Sequence, residues 1–161
     1  MEEVLQVLDK LKIEYKLVKH KPVYTIDEMS KLNRDIFEGA EICKNLFLRD
    51  EKAKRYFLVI LCGEKQANLR NIQEKVNSKR LSFASPKRLK EQLNLEPGSV
   101  TPMGLINNKE KNIEVLIDKD LKDKELLAFH PNTNDASILI SFADFMKFLK
   151  HCECLIWDVS F

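Results

Sequence analysis

Cys43-Lys-Asn-Leu-Phe-Leu-Arg-Asp50-Glu-Lys-Ala-Lys-Arg-Tyr56-Phe-Leu-Val-Ile-Leu-Cys62 holds two segments rich in β-branched and aromatic residues, 43–49 and 55–62. Only a short charged stretch separates them. No helical crossover fits there, so the pair predicts adjacent antiparallel strands. Segments of the same kind recur at 81–84, 113–117, 126–130, 137–140 and 155–159. The 113–140 region is also too short for a helical crossover, so much of the sheet is expected to be antiparallel.

Helical patterns lie between these strands. Val4, Leu5, Leu8 and Leu11 follow helical spacing, and Thr25-Ile-Asp-Glu28 has capping-box form ahead of Ile26, Met29 and Leu32. Leu69, Ile72 and Val76 mark a short helix. Ser85-Pro86 starts another carrying Leu89 and Leu93, and Ser141-Phe-Ala-Asp144 caps a last one carrying Phe142, Phe145, Met146 and Leu149. The predicted fold class is α/β (α+β): a mixed, mainly antiparallel sheet, curled towards a barrel, with helices packed outside. One domain is expected over residues 1–161, since no stretch reads as a linker.

Composition agrees with an ordinary globular chain. Residues are 44% hydrophobic and 32% charged, which provides for both a core and a wet surface at this length. Glycine (4) and proline (5) are too scarce for a collagen-like or linker chain. The longest apolar run, 56–62, is far short of the roughly 20 residues of a membrane helix, and the N-terminus lacks the basic start and apolar region of a signal peptide. A cytoplasmic protein with no membrane partner is expected. His151, Cys152 and Cys154 lie together, but a zinc site wants a second Cys pair, so no metal and no cofactor is expected. Free thiols suit a reducing compartment.

The formal net charge is +2, unevenly spread. Residues 65–90 hold Lys65, Arg70, Lys75, Lys79, Arg80, Lys87, Arg88 and Lys90 against a single acid, Glu74. This stretch is either a polyanion footprint or a solvated helix face. The familiar catalytic signatures are missing: no G-x-S-x-G, Walker A loop, G-x-G-x-x-G or H-E-x-x-H occurs.

Three features carry chemistry. Lys44 shares a strand face with Leu46 and Leu48, so it either enters a pocket, where its ammonium needs an anionic or strongly accepting partner, or snorkels to solvent. His130 ends an apolar strand, and Pro131 keeps it extended; it is placed either as a base or as a structural residue. Pro97-Gly-Ser-Val-Thr-Pro102-Met-Gly104 concentrates half the glycines in a stiff loop whose amides are fixed in direction, which suits a developing oxyanion or a plain strand connection.

Lys21-Pro-Val-Tyr-Thr25, Lys44-Asn-Leu-Phe-Leu-Arg-Asp50, Arg80-Leu-Ser-Phe-Ala-Ser85, the loop from Pro97 to Asn107 and Phe129-His-Pro-Asn132 occur in an order that resembles the YbaK/ProX family. Its members are free-standing relatives of the editing domain of bacterial prolyl-tRNA synthetase. The resemblance spans nearly the whole chain. It implies a trans-editing deacylase for mischarged tRNA(Pro), with the loop Gly98-Ser-Val-Thr-Pro102 pointing to the branch that takes alanyl-tRNA(Pro). Cysteinyl-tRNA(Pro), or a non-catalytic tRNA-binding module, is the alternative. Met103 stands where the family often has Phe, and Asp135 where Thr is expected.

By the same resemblance Lys44 and His130 are catalytic. Asn45, Gly98, Ser99, Val100, Thr101, Pro102 and Asn132 contact substrate. The partner is the acceptor end of tRNA(Pro), with prolyl-tRNA synthetase as a further one. Lys44 and Asn45 face opposite ways on a regular strand, so their joint participation requires a strand end or a bulge.

Overall fold

The computed structural model describes all residues except Tyr24 and Asn33, so Tyr24 of the Lys21–Thr25 motif lies outside the described residues. The elements in chain order are α1 (Glu2–Lys10), β1 (Tyr15–Lys19), α2 (Ile26–Ser30), β2 (Glu41–Ile42), β3 (Lys44–Arg49), β4 (Tyr56–Leu61) and α3 (Leu69–Val76). These are followed by β5 (Ser82–Phe83), α4 (Pro86–Leu93), β6 (Ile113–Asp118), β7 (Leu127–Phe129), β8 (Ala136–Ile140), α5 (Phe142–His151) and β9 (Leu155–Val159).

The opening hairpin forms as expected: β3 and β4 pair antiparallel from Lys44 opposite Leu61 to Arg49 opposite Tyr56. Asp50 closes the turn, its Oδ1 accepting from the amides of Lys54 (2.8 Å) and Arg55 (3.1 Å). All six residues of β4 are buried. Leu58 and Ile60 enter one core while Phe57, Val59 and Leu61 enter a second, formed with Ile72 and Val76 of α3. A strand covered on both faces reads as a continuous apolar run.

The expected mixed α/β architecture forms, with its strands divided between two sheets. One runs β1-β8-β7-β2 and the other β5-β3-β4-β6-β9. The sheets share a core: Ile138 and Ile140 of β8 and Leu127 and Phe129 of β7 pack in one cluster with Leu58, Ile60, Val115 and Ile117 of the second sheet. The outer face of the first sheet packs Ala128 and Leu139 against Met29 and Phe37.

The sheet order corrects one expected pairing, in 113–140. β7 and β8 are antiparallel neighbours, but β6 joins neither of them and pairs parallel with β4 and with β9. The β4-to-β6 connection contains α3 and α4, long enough for a parallel crossover. Among the described residues, four of the seven strand pairings are antiparallel. β1 falls outside the strands read from sequence, because only one of its five residues is buried and its alternation is weak.

The predicted helix starts hold. Thr25 Oγ1 accepts from Glu28 N (3.0 Å), Ser85 Oγ from Arg88 N (3.2 Å) and Ser141 Oγ from Asp144 N (3.1 Å). Among the described residues no helix is long and apolar enough to cross a membrane, and no group of three or more His, Cys, Asp or Glu is arranged to hold a metal ion.

Candidate active site

The chain leaves the first sheet at Ile42 and enters the second at Lys44, turning at Cys43. A cavity of about 550 Å³ opens at this switch. Its walls are the start of β3, the β5–α4 corner, the 97–100 loop, the end of β7, Ser137 of β8, and Thr25 and Met29 at α2. β5 pairs with β3 only at Leu48 and Arg49, so the first residues of β3 present an open edge to the cavity.

That edge resolves the problem of opposite faces. Asn45 lies on the side of Cys43 and Phe47, towards the shared core, and Leu46 and Leu48 pack towards α3. Lys44, on the leucine side but at the first position of the strand, still reaches the cavity. Its Nζ donates to the carbonyl of Lys65 at 2.5 Å. An ammonium has three donors, so two remain for a ligand. Among the described residues, Lys44 is the only Lys, Arg, Asp or Glu on the cavity wall. Asn45 Oδ1 is buried and has no hydrogen-bond partner among them.

His130, at the end of β7, also lines the cavity. Its Nδ1 lies 3.0 Å from the carbonyl of Ala136. A carbonyl only accepts, so Nδ1 carries the hydrogen and Nε2 of the neutral ring is the free acceptor. Burial pushes the His130 pKa below its ordinary 6.5, the Ala136 carbonyl opposes this, and His20 adds to the lowering. Burial and His20 thus favour the neutral ring.

The proline-flanked loop docks on this histidine. Gly98 has φ +84 and Ser99 N bonds the carbonyl of Glu96 (3.1 Å), a type II turn with Pro97 and Gly98 at its centre. Buried Thr101 donates its hydroxyl to the carbonyl of His130 (2.6 Å) and accepts from Met103 N (3.3 Å). The amides of Gly98 and Val100 make no hydrogen bond among the described residues.

Of the nine site residues read from sequence, Lys44, Asn45, Gly98, Val100 and His130 line the cavity. Ser99, Thr101, Pro102 and Asn132 stand off the wall. Thr101 and Pro102 are buried behind it, and Asn132 adopts φ 60 with its Oδ1 buried and unpartnered among the described residues.

Sequence reasoning missed His20 and Ser137. Register in the β1–β8 pair puts Val18 opposite Ser137, which brings the histidine just beyond β1 to a residue far along the chain. His20 Nδ1 is 2.8 Å from the Lys21 carbonyl and Nε2 is 2.9 Å from Ser137 Oγ. Its ring centroid is 6.0 Å from that of His130. The scarcity of histidine, three in the chain, is the only sequence signal for it.

The cysteines offer no ready nucleophile. Burial pushes Cys43, the thiol on the cavity wall, well above its ordinary value, and raises Cys62 to about 11, Cys152 to about 12 and Cys154 to about 11.

Half of the basic stretch is engaged internally. Lys65 pairs with Asp118 and Asp120, Lys90 with Glu96, Arg88 with the Tyr56 hydroxyl and Lys75 with the carbonyl of Ser160. Arg70, Lys79, Arg80 and Lys87 are exposed. Phe83, beside them at the cavity mouth, is 60% exposed.

Residues 20–148 match the family described as the aminoacyl-tRNA editing domain. The chain is 43% identical over 147 residues to the prolyl-tRNA editing protein ProX of Acetoanaerobium sticklandii, covering 91% of this chain and 88% of that protein. It is 34% identical to prolyl-tRNA synthetase associated domain-containing protein 1 of Mus musculus, over 92% of this chain and 88% of that one. The crystal structure of hypothetical protein APE2540 shares the fold, with a TM-score of 0.74 at 18% identity over 98% of both chains. The chain belongs to the aminoacyl-tRNA editing domain family.

Proposed function

We propose that this chain is a deacylase that hydrolyses the ester joining a wrong amino acid to tRNA(Pro), with alanyl-tRNA(Pro) as its substrate. The observation that carries the reading is the tautomer of His130: its Nδ1 hydrogen is tied to a carbonyl, which leaves Nε2 a neutral acceptor at the wall of a cavity whose only formal charge, among the described residues, is an ammonium. The 43% identity to a prolyl-tRNA editing protein supports the choice of tRNA(Pro).

In the proposed reaction Lys44 uses its two free N–H groups to hold the terminal nucleotide, and Asn45 contacts the same end. Water attacks the ester carbonyl carbon and gives a proton to His130 Nε2. The amides of Gly98 and Val100 stabilise the oxyanion. When the intermediate collapses, the ester C–O bond breaks and the ribose oxygen leaves with the proton from His130. The paired Ser137 and His20 have the composition of an activated nucleophile, but Ser137 is 0% exposed, which favours direct attack by water.

A second hydrolytic site is useful because a synthetase gains only about 1–3 kcal/mol per methylene when it rejects a smaller amino acid. The proposed site admits alanine and excludes proline by shape. The purified protein is incubated with alanyl-, cysteinyl- and prolyl-tRNA(Pro). Fastest loss of the alanyl ester is expected. Loss at the spontaneous rate for all three rejects the deacylase, and fastest loss of the cysteinyl ester reassigns the substrate.

A further inference from the structure

Lys44 rests on a carbonyl that is itself unusually well fastened. The carbonyl belongs to Lys65, at the end of the turn that follows β4, where Lys65 N bonds the carbonyl of Cys62 at 3.0 Å. Asp118, at the end of β6 and 0% exposed, accepts from Cys62 N at 3.1 Å, from Asp120 N at 3.0 Å and from Lys65 Nζ at 3.0 Å. Lys65 Nζ also reaches Asp120 at 2.6 Å, and Glu41 accepts from Gly63 N at 3.4 Å. Both ends of a four-residue turn are thus tied to one buried carboxylate.

A buried carboxylate is retained at a cost unless its donors are complete. Burial alone would raise the Asp118 pKa, but the hydrogen bonds from Asp120, Cys62 and Lys65 hold it below the ordinary carboxylate value. The group is ionised and fully engaged, and it does not line the cavity. Its route to the site is the Lys65 carbonyl.

We propose that Asp118 is a positioning residue for Lys44: through Lys65 and the 62–65 turn it fixes the carbonyl that aims the ammonium into the cavity. The inference rests on the role given to Lys44 under the proposed function. With the turn loosened, the carbonyl shifts and the two free N–H groups of Lys44 no longer meet the terminal nucleotide. Misplacement of a contact by about 1 Å can lower turnover by about a hundredfold.

The test is a double-mutant cycle on alanyl-tRNA(Pro) hydrolysis with Asp118→Asn, Lys44→Ala and the pair. Asp118→Asn is expected to lower the rate by about tenfold to a hundredfold, and to add nothing once Lys44 is alanine. Where Lys44→Ala leaves no rate to compare, the same cycle is read in affinity for a minihelix carrying alanine through a non-hydrolysable amide. A purely structural brace would give additive losses in both backgrounds, and that result overturns the proposal. So does an Asp118→Asn protein that folds with undiminished turnover. If Asp118→Asn does not fold, Lys65→Met takes its place in the cycle, with full activity of that variant as the contradicting result. Unchanged turnover in Lys44→Ala alone would instead overturn the role of Lys44 on which the inference rests.

Discussion

Lys44 and His130, which both line the cavity, are supported in opposite ways. Lys44 leans on a carbonyl backed by a buried anion, with Asp118 and Asp120 gathered around Lys65 behind it. His130 leans on neutral backbone and hydroxyl partners, the Ala136 carbonyl at its ring and the Thr101 hydroxyl at its own carbonyl. The difference matches the part that the proposed reaction gives each side chain. In the proposed reaction the Lys44 ammonium has only to be aimed at phosphate or ribose, and a carbonyl held by the Lys65–Asp118 pair does that. An imidazole that takes a proton must start neutral, and among the described residues no Asp or Glu lines its cavity.

The largest expected effect comes from removing the charged side. Lys44→Ala should lower hydrolysis of alanyl-tRNA(Pro) by about a hundredfold or more, the scale for loss of a preorganised electrostatic contact, with the melting temperature unchanged within a few degrees. A loss below threefold in single-turnover assays would dissolve the contrast.

A smaller effect is expected behind His130. Thr101→Val deletes the hydroxyl that joins the loop to His130 and takes that partner from a part-buried carbonyl, at a cost of about 1 kcal/mol. It should lower both stability, read by denaturant melts, and turnover. Undiminished turnover in a destabilised protein would detach the loop from the chemistry. The smallest effect lies outside both supports. Ser141→Ala removes the cap of α5 and should cost about 1 kcal/mol of stability with turnover unaltered, so a large kinetic loss there would show that general loosening mimics the site variants.

Much of this arrangement is legible in the sequence because it is local. The β3–β4 hairpin follows from two apolar segments and a short charged turn, and the helix starts follow from Thr25, Ser85 and Ser141. The Pro97–Gly104 loop and His130 stand out by composition, and the structure joins them through Thr101. What escapes is set by pairing between distant segments. The parallel placement of β6 against β4 and β9 depends on which sheet each strand joins, and no local pattern encodes that choice. The same holds for His20 with Ser137 and for Lys65 with Asp118. In each pair one member looks like an ordinary polar residue until the fold brings its partner within 3.0 Å.

The central claim is that the proposed reaction uses a neutral His130 together with the Lys44 ammonium, and the pH dependence of turnover tests it most directly. Because burial lowers the His130 pKa below 6.5 in the folded protein, protonation removes the base only at lower pH. Single-turnover hydrolysis of alanyl-tRNA(Pro), corrected for spontaneous ester loss, should therefore rise with pH along an acid limb centred below 6.5 and level off above it. His130→Gln should fall by about 10²-fold or more at the plateau and lose that limb. An identical limb in the variant, or a wild-type limb centred above 6.5, would contradict the account.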